Sequence, residues 1–251
     1  MSSILAVDVG NSFIKWGVNK DCLWLVKKQL AHREIETLTD QWKKLSNINY
    51  VVASTVSNRL ITKKLNTIFA SFDYEAHWIT PRSYQCGITN NYKYQQQLGA
   101  DRWAAMIAAW NMYHNSCVVV NVGTAMTVDA ISRDGLFLGG YIVPGPFLQL
   151  KSLATNTQIS YDAALSNPEL FPTTTSSAMH NGIFVALSAM VEKALQLFYK
   201  YQGYHPQNCI LSGGGVGFIR RHIHFPVVEI DNLVLEGLVM IAHDLFQSEL
   251  S

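Results

Sequence analysis

The strongest constraint on this chain is a stretch that occurs twice. Residues 4–18 read ILAVDVGNSFIKWGV: an apolar run reaches an acid, Asp8, turns sharply and leaves as a second apolar run. β-Branched and aliphatic residues on both sides favour strands, and Gly10 and Asn11 tolerate the positive φ of a tight turn. The stretch therefore predicts a β-hairpin with Asp8, Asn11, Ser12 and Lys15 at or near its tip. Residues 117–131, CVVVNVGTAMTVDAI, repeat the plan and lay Asn121 on Asp8, Gly123 on Gly10, Thr124 on Asn11 and Ala125 on Ser12. Alone, either stretch reads as an ordinary strand turn. In register, the pair suggests a duplicated α/β fold, one hairpin opening each half, with a nucleotide in the cleft between them. Bare backbone at Gly10 and short polar groups at Asn11 and Ser12 suit close approach to a phosphate. Asp8, itself anionic, suits a metal ion or its waters instead.

A chain of 251 residues is long enough for two modest domains. The expected division is 1–115 and 116–251. With 49% hydrophobic and 15% charged residues the sequence is that of a well-buried globular protein. A net charge of +1 and scattered basic residues argue against a broad nucleic-acid footprint. Cys22, Cys86, Cys117 and Cys209 show no metal-ligand spacing; Cys117 and Cys209 open apolar runs and read as buried thiols, which fits a reducing cytoplasm. No secretory leader and no uninterrupted apolar run of membrane-spanning length is visible, so no membrane partner is expected.

Hydrophobic periodicity orders the rest. Strands are expected over 22–27, 50–53 and 75–79, with helices over 34–45 and 58–72. The polar, aromatic stretch 83–98 reads as a surface loop, either a carrier of binding residues or a solvated linker. An alanine-rich helix over 99–112 places Asp101 and Arg102 in its first turn, where an acid commonly serves the helix dipole alone. Beyond the second hairpin come a strand over 136–143, a short helix over 147–154 and a polar, mobile segment over 155–174. A long helix over 176–202 follows, then a strand over 209–211 that runs into Ser212-Gly213-Gly214-Gly215. That glycine run either lets a ligand reach backbone or is a flexible turn. A short helix over 216–221, a strand over 227–230 and a helix over 233–246 close the chain.

Walker-type and G-x-G-x-x-G loops, the protein-kinase motifs, H-E-x-x-H, paired metal cysteines and a G-x-S-x-G elbow are all absent from the sequence. Any nucleotide chemistry must use the twin hairpins. Taken together, Asp8-Val9-Gly10-Asn11-Ser12 through Lys15, Tyr92, Leu98-Gly99-Ala100-Asp101-Arg102-Trp103, Val122-Gly123-Thr124-Ala125, Gly139-Gly140 with Pro144-Gly145, Thr175 with Ala178 and Gly182, and Gly213-Gly214 resemble the type III pantothenate kinases. The resemblance spans nearly the whole chain. It implies the duplicated actin-like, ribonuclease H-like architecture of the superfamily that includes acetate and sugar kinases, actin and heat-shock chaperone ATPases. It also implies ATP-dependent phosphorylation of pantothenate, the first committed step towards coenzyme A.

Carried over residue by residue, Asp8, Val9, Gly10, Asn11, Ser12, Phe13, Ile14 and Lys15 form the first phosphate-binding turn. Thr124 contributes the second, and Gly213 and Gly214 lie on the adenosine side. Asp101 is the general base. Tyr92, Gly99, Ala100, Asp101 and Arg102 hold pantothenate, Arg102 through the substrate carboxylate. Thr175 reaches the partner subunit's substrate, which implies a homodimer. Mg²⁺ accompanies ATP and is approached by Asp8, expected through water. An ionised Asp101 is expected at a helix start beside Arg102. The family has an acid where this chain has Asn121, and that acid helps bind a monovalent cation, K⁺ or NH₄⁺. The departure implies weaker or absent K⁺ dependence, and opens the alternative of a catalytically weak, nucleotide-binding regulatory homologue. A kinase of another small hydroxyl substrate is a third reading, opposed by the match from Tyr92 to Arg102.

Overall fold

The computed structural model describes residues 3–45, 47–156 and 169–246. In chain order the elements are β1 (Ser3–Val9), β2 (Phe13–Lys20), β3 (Leu23–Ala31), α1 (Thr37–Trp42), β4 (Tyr50–Thr55), α2 (Arg59–Ala70), β5 (Ala76–Trp78), β6 (Tyr84–Gln85), β7 (Ile88–Thr89) and α3 (Ala100–Tyr113). There follow β8 (Cys117–Val122), β9 (Ala125–Ile131), β10 (Phe137–Pro144), α4 (Pro146–Asn156), α5 (Thr175–Gln202), β11 (Asn208–Ser212), α6 (Val216–Ile219), β12 (Val228–Glu229) and α7 (Leu233–Leu245).

These elements form two compact units. One holds the chain up to His114, Gly135–Phe137 and the chain from Asn232; the other holds Asn115–Asp134 and Leu138–Asp231. Each contains a five-stranded sheet, ordered β3-β2-β1-β4-β5 in the first and β10-β9-β8-β11-β12 in the second. In the first, β1 runs antiparallel to β2 and parallel to β4, and β4 runs parallel to β5. In the second, β8 runs antiparallel to β9 and parallel to β11, and β11 runs parallel to β12. The strand order matches throughout, and the directions match across the four strands from each hairpin to the far edge, so the sequence repeat is a repeat of topology.

β1 is buried along its whole length and β8 nearly so, and alternate residues of each face opposite sides of the sheet, as the two-residue period of a strand requires. Leu5, Val7 and Val9 of β1 enter a core with Leu38 and Trp42 of α1 and Ile61, Leu65, Ile68 and Phe69 of α2. Trp42 is its centre, stacked on Phe69 at 5.2 Å and edge-on to Trp16 at 6.0 Å. Val118, Val120 and Val122 of β8 enter the equivalent core with Ile183, Phe184, Leu187 and Val191 of α5. Asp8 and Asn121, one residue out of phase, both point to the opposite face of their sheets. Helix α5 is long and apolar enough to span a bilayer by length and composition, although Glu192 and Lys193 interrupt its apolar run. Its apolar stripe is instead packed into the second unit's own core.

Several boundaries differ from expectation. The helix expected over 34–45 is only α1, preceded by a 3₁₀ turn at His32–Glu34. The stretch 83–98 contains a two-residue hairpin: β6 and β7 pair as Tyr84 with Thr89 and Gln85 with Ile88. Its turn residues, Cys86 and Gly87, have φ of 48° and 86°, the double left-handed geometry that such hairpins need. Helix α7 does not belong with the half that precedes it. Gly237 lies against the Ala104 backbone of α3, so closely that a Cβ there would overlap it. Glu236 accepts from Trp24 Nε1 at 2.8 Å and Lys27 Nζ at 3.0 Å, and Phe246 stacks on Tyr50 at 4.3 Å. The contiguous division at 115/116 is thus broken by α7 returning to the first unit. Of the polar segment 155–174, residues 157–168 lie outside the described residues.

Candidate active site

In the first unit, β1 delivers Asp8 to the end of the sheet, opposite Lys15 on β2 and Ser54 on β4. Asp8 is 8% exposed, and the fully buried Ser54 hydroxyl donates to its Oδ1 at 2.7 Å. Burial pushes the Asp8 carboxyl up to about 6, helped by the nearby Asp101 charge and opposed by Ser54 and Lys15. Two carboxylates near enough to repel, both desolvated by burial, form a site that a cation would stabilise. Among the described residues no group of three or more His, Cys, Asp or Glu could cage a metal by itself. A single buried carboxylate suits Mg²⁺, which is usually held by one or two carboxylates plus substrate phosphates.

The turn after Asp8 holds Gly10 to Phe13, with Asn11, Ser12 and Phe13 exposed. The Gly10 N–H is spent internally, on the Phe13 carbonyl at 3.0 Å. The Gly10 carbonyl accepts from His32 Nε2 at 3.0 Å. The second turn does the same with one residue fewer: Gly123 N–H donates to the Ala125 carbonyl at 3.0 Å. Val9 pairs with Ile14 across the first turn, whereas Val122 pairs with Met126 across the second. The sequence match therefore holds as far as Asn11 on Thr124, then slips by one: Thr127, paired with Asn121, stands where Lys15 pairs with Asp8. In both turns the glycine serves the turn closure rather than offering its own amide to a ligand.

Asp101 lies in the first turn of α3, whose N-cap is Gly99. Its Oδ1 accepts from the Arg102 N–H at 2.8 Å. A Cβ on Gly99 would come within 2.6 Å of that oxygen, so glycine at the cap makes room for the carboxylate to fold back. Burial raises the Asp101 carboxyl, outweighing the opposing Arg102 N–H and Arg102 charge; the expectation of a plainly ionised acid understated burial. Arg102 is itself buried, donates to the Tyr92 hydroxyl at 2.9 Å, and stacks its guanidinium 5.6 Å from the Tyr92 ring and 5.9 Å from the Phe137 ring. Asn90 Oδ1 holds the Tyr92 N–H at 3.0 Å. The first unit thus brings Asp8, Lys15, Tyr92, Gly99, Asp101 and Arg102 together. Ser54, His32 and Phe137 escaped the sequence reading. A serine directly after the buried run Val51-Val52-Ala53 was a usable signal; nothing in the local sequence marked Phe137 or His32.

The second unit carries the other expected residues. Thr124 is exposed at the tip of its hairpin, and its carbonyl accepts from the Gly145 N–H at 2.8 Å. Gly213 has φ of 99°, and a Cβ there would meet the Val122 carbonyl oxygen at 2.5 Å and Asn121 Oδ1 at 2.7 Å. Gly213 is therefore required for packing against β8, whereas a Cβ on Gly214 would meet nothing within 4 Å. Thr175 is exposed at the start of α5, just beyond the Thr174 cap that accepts from the Ser177 N–H at 3.2 Å.

Comparisons with known proteins give the family. Residues 4–196 match the family model described as type III pantothenate kinase. A protein of Nitrosomonas eutropha named type III pantothenate kinase is 39% identical over 243 residues, covering 96% of this chain and 95% of that protein. A protein of the same name from Nitrosospira multiformis is 38% identical, covering 96% and 91%. Among solved structures, a conserved putative Baf family transcriptional activator from Campylobacter jejuni aligns over 98% of both chains with a TM-score of 0.57 and 22% identity. Component A of (R)-2-hydroxyglutaryl-CoA dehydratase from Acidaminococcus fermentans aligns over 96% of both with a TM-score of 0.54 and 12% identity. Those two likenesses establish the shared fold, the duplicated actin-like architecture. With sequence matches of this extent, the chain belongs to the type III pantothenate kinase family.

Proposed function

We propose that the protein transfers the γ-phosphoryl group of ATP to the primary hydroxyl of pantothenate, the opening reaction of coenzyme A synthesis. The observation that carries this reading is the Asp101–Arg102 pair at the start of α3, a raised carboxyl beside a guanidinium held by Tyr92 and Phe137. Asp101 takes the hydroxyl proton as that oxygen attacks the γ-phosphorus, the bond to the bridging oxygen breaks, and ADP leaves. A carboxyl raised towards the working pH is a better base than an ordinary aspartate. Arg102 holds the pantothenate carboxylate in a two-pronged contact, with Tyr92, Gly99 and Ala100 lining the same substrate. Residues 8–15, with Thr124, Gly213 and Gly214, bind the nucleotide. Phosphoryl transfer asks chiefly for alignment and charge compensation. Mg²⁺, with Asp8 in its surroundings, supplies neutralisation of the phosphate charge.

Thr175 acts on the partner subunit's substrate in a homodimer, for which its exposed position at the head of α5 leaves it available. A cytoplasmic location fits Cys117 and Cys209, buried thiols not joined in a disulfide and pushed up to about 12 by desolvation. Asn121 lacks the charge of the family acid, so we expect weak or absent K⁺ dependence. The test is ADP release with pantothenate, ATP and Mg²⁺, with and without K⁺, beside Asp101→Asn. Pantothenate-dependent turnover, lost in the variant, supports the kinase; a strict requirement for millimolar K⁺ overturns the reading of Asn121. ATP binding without turnover under any cation shifts the assignment to a non-catalytic regulatory homologue.

A further inference from the structure

The peptide joining Gly10 to Asn11 is a single planar unit, and in a trans peptide the C=O and N–H point in opposite directions. Its carbonyl is held by His32 Nε2 at 3.0 Å. The Asn11 N–H is therefore turned away from His32. A flip of this one peptide would exchange the two groups and present a carbonyl oxygen where the N–H had been. Glycine at position 10 has no Cβ to resist such a flip. The other anchor of the turn, Gly10 N–H to the Phe13 carbonyl, precedes Gly10 and leaves the Gly10–Asn11 unit free to rotate. His32 is well placed to be the lock because its own backbone is fixed. The Ala31 N–H is held by Glu34 Oε2 at 3.0 Å, the Ile35 N–H returns to the His32 carbonyl at 3.3 Å, and Ile35 is buried in the core.

We infer that His32 is a positioning residue that locks the Gly10–Asn11 peptide with its N–H, not its carbonyl, directed at the nucleotide phosphates. The inference rests on the assignment of residues 8–15 as the phosphate turn. Against an anion the two peptide orientations differ in sign, attraction by an N–H dipole in one and repulsion by a carbonyl oxygen in the other. Loss of the lock therefore weakens phosphate binding without touching pantothenate.

The experiment compares His32→Phe, which keeps a ring but no donor, with His32→Gln, whose side-chain amide reaches about as far as Nε2 and can donate to the same carbonyl. Steady-state kinetics give KM for MgATP and for pantothenate separately, and calorimetry gives the Kd for MgADP without turnover. The expected result for His32→Phe is a roughly tenfold rise in both MgATP KM and MgADP Kd, a factor of ten being about 1.4 kcal/mol, with pantothenate KM unchanged. His32→Gln is expected within about threefold of the native enzyme by the same conversion. Equal nucleotide affinity in all three proteins, a parallel rise in pantothenate KM, or failure of Gln where Phe also fails would each overturn the lock. A native protein that binds MgADP but phosphorylates nothing overturns the kinase assignment and leaves the calorimetric comparison valid.

Discussion

Asp8→Asn is expected to stabilise the ligand-free protein while disabling it. The native carboxyl is raised from 3.8 to about 6, chiefly by burial. Because the folded state keeps its proton where the unfolded chain has released it, stability falls as pH rises from about 4 to about 6 and the cost stands in full above that window. Two pH units at 1.36 kcal/mol each set that cost at about 3 kcal/mol. Asparagine is not ionised, and its Oδ1 can still accept from the Ser54 hydroxyl. Its amide N–H₂ gains no assured partner, which takes back about 1–2 kcal/mol. The net gain is then about 1–2 kcal/mol, or roughly 2–8 °C in Tm for a chain of this size. The assay is thermal unfolding of both proteins at pH 8 and pH 4.5, with activity measured alongside. The advantage of the variant should be present at pH 8 and disappear at pH 4.5, and Mg²⁺ with ADP should raise the Tm of the native protein only. A variant no more stable than native at pH 8, or an advantage that persists unchanged in acid, refutes the view that Asp8 carries a desolvated charge awaiting a cation.

Asp101→Asn should lower kcat by about 10²–10⁴-fold, the usual share of a positioned base, with both KM values nearly unchanged in steady-state assays. Because burial raises its carboxyl, the acid limb of the native kcat profile should lie above the range of an ordinary aspartate, activity falling as pH drops and the base is protonated. Arg102→Lys should raise pantothenate KM while leaving MgATP KM alone, since lysine lacks both the paired donors and the planar stack on Tyr92 and Phe137. Gly213→Ala should cost about 1–3 kcal/mol by denaturant titration, from its left-handed φ and the crowding at the Val122 carbonyl, whereas Gly214→Ala should cost well under half of that.

What the sequence revealed and concealed divides along physical lines. The hairpins at 4–18 and 117–131 were legible because each strand is buried on a face that must be apolar, and because the turn chemistry of Gly10 and Gly123 is local. The extra residue in the first turn was not legible, since similar apolar runs on either side hide a slip that only cross-strand pairing reveals. The β6–β7 hairpin stayed hidden because a cysteine, Cys86, takes a left-handed conformation normally signalled by asparagine or glycine. Within the candidate site, residues that would touch ligand are carried by sequence pattern. Those that orient them, Ser54 under Asp8 and Phe137 beside Arg102, are set by sheet register and by a return of the chain, which no local window contains.

The return of α7 to the first unit has a consequence for synthesis. A nascent chain leaves the ribosome from its N-terminus, and domains commonly fold as they emerge. Here every strand of the first sheet is made before residue 79, yet the helix that packs on β1 and α3 is made last. Until it arrives, the Ala104 face of α3 and the Ile4–Ala6 face of β1 lack their native cover. The second unit starts after most of the first has been made, yet it has all its own segments by Asp231, before the first gains its last. Order of translation and order of completion are therefore reversed, and the two halves, alike in topology, differ in how long each must wait.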